Sequence, residues 1–357
     1  MASRTITAGQ GTTPLDDGRY RTLDMLRGVA AVTVVLYHEA DAYRFGGWRP
    51  GFSFLAVDLF FCLSGFVIAR SNDRRFAAGL TVGAFMSRRL YRLAPLHLLG
   101  WLLALLTLLI PSVREGAGGP SLAPTLATNL LLLPGALPVL FPLNPPGWSL
   151  FQELWVANLL YALLWHRLRP AILGLLVVLA TGGLLFAARF YHGANVGFEY
   201  ASAGGGFARA LFSFFVGVAL ARLHSHRPAR FQVPAIWLCA ALVALLSLPI
   251  SGRPATAYQL FCIVVGFPAL IYWGASARER RPAIGIALGE ASYAAYVTHW
   301  PLLAFVAWGW RTGLIGAGPG PVLQLTVAAA IIAASFSVHH LLDQPIRNGI
   351  TRGRNRA

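Results

Sequence analysis

The chain has 357 residues, of which 56% are hydrophobic and 12% charged, with a mean hydropathy of +0.61. A soluble domain carries about 25% charged residues, so this composition excludes an ordinary soluble fold and points to an all-α, polytopic membrane protein. The net charge of +16 comes from 29 basic residues, all arginine, set in clusters between apolar runs. That pattern excludes a nucleic-acid-binding stripe in favour of membrane topology.

In chain order, residues 1–20 are polar and lack the apolar region of a cleavable signal peptide, so they read as a flexible cytoplasmic tail. About ten segments of about 20 residues follow, each long enough to span. They are 28–45, 52–70, 93–111, 148–166, 171–190, 207–223, 233–250, 257–274, 285–308 and 321–340. Between the third and fourth lies 121–143, apolar but broken by Pro124, Pro134, Pro138 and Pro142. It reads as a re-entrant or outer-surface segment, tolerated at membrane depth only under a cover of protein or water. The Gly-rich "SAGGGFAR" at 202–209 has neither the lysine nor the preceding strand of a phosphate loop and reads as an outer loop. With the N-terminus inside and the spans alternating, 22 of the 29 arginines fall on the inner side and 7 outside. This positive-inside bias places both termini in the cytoplasm. Residues 21–348 then form one transmembrane domain, and 349–357 form a basic cytoplasmic tail. Cys62, Cys239 and Cys262 lie in apolar runs without ligand spacing, so neither a disulfide framework nor a metal is expected.

Several ionisable residues interrupt these apolar segments. Arg27 and His38 are eleven residues apart, which returns them to nearly one helix face, roughly 16 Å apart along the axis. Asp24 lies on the same side. Counted from the segment ends, His38, Asp58, Glu153 and His299 agree in depth to within roughly 6 Å, in the outer half of the bilayer. Such residues are costly in a membrane and normally face a bundle interior with a partner. Two imidazoles and two carboxylates in one layer could supply a base and its orienter. Plainer readings stand beside these: a structural histidine at 38, a structural Asp58, a helix-start cap at Glu153, and packing of His299 beside Trp300 and Pro301. Near the inner surface, "SRRLYRLAP" holds Arg88, Arg89 and Arg92. They read as topology determinants or, with Arg27, as ligands for a phosphate-rich donor.

The motifs resemble the membrane-bound acyltransferase 3 family. "RTLDMLRGVAAVTVVLYH" is similar to its first-helix pattern, and "VDLFFCLSGFVIA" to its second, with Asp58 and Ser64. "RRLYRLAPLH" resembles the third motif, and "GWSLFQELW" the fourth, with Trp148, Ser149 and Glu153. "LGEASYAAYVTHWPL" resembles a late motif with Ser292, Tyr293, His299 and Pro301, and "HHLLDQPIR" resembles the terminal one. Asp343 stands where Glu is frequent, and Gln152 where a second acid is common.

The resemblance implies about ten transmembrane helices in a bacterial cytoplasmic (inner) membrane. It implies O-acyl transfer from cytoplasmic acyl-CoA, usually acetyl-CoA, to a hydroxyl of an envelope saccharide or related acceptor. Acyl-CoA is then expected on Arg27, Arg89 and Arg92. His38 acts as general base or transient acyl carrier, Asp58 orients it, and Glu153 positions or deprotonates the acceptor. Ser64, Trp148, Ser149, Tyr293 and His299 are candidate oxyanion or acceptor contacts. No fused hydrolase-like domain is read, so the chain acts alone or hands its acyl group to a partner protein. The alternative is a transporter or flippase for an anionic lipid or saccharide, which explains the ionisable residues but predicts broken helices in matching halves.

Overall fold

The computed structural model describes residues 20–44, 46–116, 119–277, 282–316 and 320–347. The expected N-terminal tail, apart from Tyr20, lies outside these residues, as do the C-terminal tail and Arg278, Arg280 and Arg281. Among the described residues the chain is helical, with one isolated antiparallel bridge between Val139 and Glu199. The elements are α1 (Arg21–Asp41), α2 (Ala56–Ala77), α3 (Val82–Leu106), α4 (Pro111–Gly116) and α5 (Leu122–Leu130). Next, α6 (Gly147–Phe151) runs through a π segment, Gln152–Asn158, into α7 (Leu159–Leu164). Then come α8 (Pro170–Phe190), α9 (Ala203–His226) and α10 (Ala235–Ser247). A second π segment, Cys262–Gly266, joins α11 (Arg253–Phe261) to α12 (Phe267–Gly274). The chain ends in α13 (Pro282–Arg311) and α14 (Pro321–Val338), the latter continued by a π turn at His339–Asp343.

Six helical runs among the described residues are long and apolar enough to cross a membrane: 53–77, 82–109, 170–190, 200–226, 253–274 and 321–347. The other four expected spans correspond to α1, the α6–α7 run, α10 and α13. In α1 the apolar stretch is diluted by Arg21, Asp24, Arg27, Glu39 and Asp41. The outward face of α8 exposes Leu175, Val178, Leu179, Leu185 and Phe186, the surface a lipid tail would cover. The chain is a polytopic membrane protein. Within 121–143 the only helix described is α5, nine residues and so about 14 Å long. The rest is irregular chain, tied down where Leu140 N–H donates to Phe198 O (3.0 Å) and Tyr200 N–H to Pro138 O (2.8 Å).

Small residues set the helix pairings that matter for the site, as is common inside membranes. On α1, a Cβ at Gly28 would fall 2.4 Å from Leu288 Cβ, and one at Gly289 of α13 would fall 2.6 Å from Asp24 Cβ. These two helices lie against each other and run in the same direction. Likewise α2 meets α9: a Cβ at Gly65 would stand 2.0 Å from Phe214 O, and one at Gly217 2.1 Å from Cys62 O. The "SAGGGFAR" run corrects the loop expectation. It forms the first turns of α9, with Gly206 closing on Gly197 and Trp148. Its glycines serve close backbone approach rather than chain freedom. In α13, Pro301 lacks the N–H that would bond Val297 O four residues before it. Asn144 Nδ2 donates to that carbonyl instead, at 2.9 Å.

Candidate active site

Both polar groups of α1 turn toward α13. Arg27 Nε donates to Ser292 Oγ at 2.9 Å and its Nη2 to Gly289 O at 2.8 Å, while Asp24 pairs with the same guanidinium at 2.9 Å. Further along, His38 Nδ1 lies 2.9 Å from His299 Nε2, with the rings stacked. The proton positions follow from the partners. His299 Nδ1 faces Tyr296 O (2.9 Å) and Ala295 O (3.0 Å), and carbonyls only accept. Nδ1 of His299 therefore carries its hydrogen and Nε2 is bare in the neutral ring. His38 must then donate from Nδ1, which leaves the lone pair of His38 on Nε2. Two backbone carbonyls thus fix the tautomer of a base one residue away.

A cavity of about 530 Å³, within the range of small-molecule sites, runs along α13 as far as Tyr296, one turn short of His299. One end is lined by Arg27, Arg89, Arg92 and Arg347. Arg89 pairs with Glu153 at 2.6 Å, and Glu153 Oε1 also accepts from Ser64 Oγ at 2.6 Å. Arg347 pairs with the fully buried Asp343 at 2.7 Å. Arg92 makes no hydrogen bond or ion pair with another described residue. A guanidinium left open in such a cavity favours an anionic ligand. The other end is lined by Val57, Phe60, Phe61, Leu150, Ser149 and Tyr296. Ser149 Oγ and Tyr296 Oη share a hydrogen bond of 2.7 Å. Tyr293 also lines the cavity and donates to Leu93 O at 3.0 Å.

Asp58 has a different set of partners. Its carboxylate takes Arg209 Nη2 at 2.6 Å and Arg209 Nε at 3.2 Å, with Ser213 Oγ at 3.4 Å. The Arg209 side chain is 2% exposed and that of Asp58 fully buried. Arg209 also donates to Val196 O and Phe54 O, and its guanidinium covers the Trp148 ring at 5.4 Å.

Residues 20–340 match the acyltransferase domain family. The chain belongs to the acyltransferase 3 family. This acyltransferase is 39% identical over 161 residues to "Protein 2 in picA locus" of Rhizobium radiobacter, covering 40% of this chain and 81% of that protein. It is 34% identical over 164 residues to the acyltransferase MdmB of Streptomyces mycarofaciens, covering 42% of this chain but 40% of MdmB. No solved structure matches it.

In this acyltransferase the expected layer of four resolves into three separate pairings. His38 meets His299, Glu153 meets Arg89 and Ser64, and Asp58 meets Arg209. The expected contact between Asp58 and His38 is not made, because the α2–α9 pairing gives the Asp58 carboxylate a buried arginine. Glu153 lies in the arginine-lined cavity rather than against His38, and Ser64 spends its hydroxyl on Glu153. Trp148 packs on Arg209, and Ser149 on Tyr296. Three further residues contribute: Arg209, which the arginine count places outside, Arg347, which it places inside, and Tyr296 within the late motif. Arg347 and Tyr296 lie within the quoted motifs and Arg209 ends the glycine-rich run, but nothing in the spacing ties them to their partners.

Proposed function

We propose that this chain is an integral membrane O-acyltransferase that takes an acyl group, in the first instance acetyl, from cytoplasmic acyl-CoA. It passes that group to a hydroxyl of an envelope saccharide or related acceptor. The observation that carries the reading is the cavity, with four arginines at one end and apolar walls leading toward the His38–His299 pair. Arg92 and Arg27, with Arg89 held by Glu153, bind the donor phosphates. The pantetheine arm follows the cavity from Arg27 between α2 and α13. His38 Nε2 takes the proton of the acceptor hydroxyl. The hydroxyl oxygen bonds to the acyl carbon, the carbon–sulfur bond breaks, and CoA leaves as the thiolate, which the proton held on His38 neutralises. His299, not Asp58, orients the base. The Tyr296 hydroxyl, turned from Pro146 O while Ser149 Oγ donates to it, is the donor we assign to the tetrahedral oxyanion. Both termini and the arginine mouth face the cytoplasm in a ten-span arrangement in a bacterial inner membrane, supported by the arginine bias. Family membership favours transfer over the transport alternative.

The test uses acceptor-containing membranes with wild type or His38→Ala at matched levels, supplied with acetyl-CoA labelled on the acetyl group. Label in the envelope fraction and CoA release are expected to fall by about 10²–10⁴-fold in the variant, the usual worth of a positioned base. Equal labelling would remove His38 from the chemistry. No CoA release by wild type from any acyl-CoA would remove the donor.

A further inference from the structure

Past its arginine mouth the cavity turns apolar and ends before it reaches His38. Its wall on α13 stops at Tyr296, one turn short of His299. There Phe60 of α2 meets Tyr296 edge-on, with ring centroids 5.6 Å apart and planes at 83°. Tyr296 is pinned: its hydroxyl bonds Ser149 Oγ at 2.7 Å and donates to Pro146 O at 3.3 Å, and its ring lies 6.0 Å from that of His299. The neighbouring Phe61 is buried and turned against Trp148. Phe60 is half-buried, faces the cavity and is held by apolar contact alone. Val57, one turn away on α2, also lines this end; of the two rings that meet there, Phe60 is the one free to define the room left for what enters.

We propose that Phe60 sets the length of the acyl group this enzyme accepts, the acyl chain lying against its ring where the cavity meets Tyr296. The proposal rests on the acyl-CoA reading above. A short acyl group fits on the mouth side of the Phe60–Tyr296 contact. Each further methylene must displace a ring already in contact with a pinned neighbour, and overpacking of this kind is unfavourable. One methylene in an apolar pocket is worth about 10–200-fold in discrimination.

The experiment measures CoA release and acyl incorporation in acceptor-containing membranes, with acetyl-, butanoyl- and hexanoyl-CoA. Wild type, Phe60→Ala, Phe60→Leu and Phe60→Trp are compared at matched folded amounts, judged by size exclusion in detergent. Wild type is expected to prefer acetyl. The hexanoyl-to-acetyl ratio is expected to rise by about tenfold or more in Phe60→Ala, to rise less in Phe60→Leu, and to fall in Phe60→Trp. Should the alanine variant not fold, the leucine and tryptophan variants carry the test through their opposite directions. A wild type indifferent to chain length, or variants that keep the wild-type ratio while still transferring acetyl, would overturn the proposal and leave the acyltransferase reading intact. Failure of wild type to use any of these donors would strike the acyl-CoA reading itself.

Discussion

At the scale of single residues, the basicity of His38 is arranged by neighbours that never touch a substrate. His299 holds its Nδ1 hydrogen on two backbone carbonyls, and that choice runs through the shared hydrogen bond to leave His38 Nε2 bare. His299→Ala removes the relay while leaving His38 in place. The turnover number is expected to drop by about 10–100-fold, as when a supporting hydrogen bond to a working histidine is lost, with the KM for acetyl-CoA little changed. A variant that keeps wild-type turnover would show that the pair only packs. Glu153 behaves differently because it holds Arg89 in the cavity. Glu153→Gln is expected to raise the KM for acetyl-CoA by about tenfold, the scale of one charge-assisted contact, with a smaller effect on turnover. A loss confined to turnover would return Glu153 to the role of acceptor base.

Between elements, two ion pairs join α2 to α9 among the described residues, Asp73–Arg222 and the fully buried Asp58–Arg209. Leaving either charge of the buried pair alone costs about 3–5 kcal/mol, whereas replacing both by apolar groups of similar volume is often neutral or stabilising. Asp58→Ala should therefore melt well below wild type when detergent extracts are heated and the surviving folded fraction is measured. Asp58→Leu combined with Arg209→Met should recover most of the loss. If the single variant melted with wild type, the buried pair would add nothing to the α2–α9 contact. The same pair marks what could be read from the sequence. The Arg27–His38 spacing was legible because both side chains belong to one helix, where 100° per residue fixes their common face. Their partners were not: Ser292 and His299 are more than 260 residues away along the chain. Counting residues from a segment end gives depth but not azimuth. Asp58 and Glu153 therefore shared a layer with His38 on paper, while helix packing turned one to Arg209 and the other to Arg89. The π segment at Gln152–Asn158 adds a local change of phase that no regular helical count contains.

Over the whole molecule, function depends on which side of the membrane each end of the cavity faces. Its arginines come from the N-terminal part of α1, from α3, and from Arg347 just past the final π turn. The histidine pair stands farther along α1 and α13, two helices that run in the same direction. A phosphorylated donor carries several negative charges and cannot cross the bilayer unaided, so it must arrive at the arginine end. In the proposed topology, which the arginine bias of the loops supports, that end faces the cytoplasm. Sealed inside-out vesicles should therefore release CoA from added acetyl-CoA, while sealed right-side-out vesicles should not until detergent opens them. Arg92→Ala, measured in the inside-out preparation, should raise the KM for acetyl-CoA about tenfold or more, because the guanidinium it removes is the one with no described ion-pair partner to compete with the ligand. Equal rates from both faces of sealed vesicles would mean that the cavity opens to both sides. Activity only from the right-side-out face would invert the topology and, with it, the assignment of the arginines to a cytoplasmic donor.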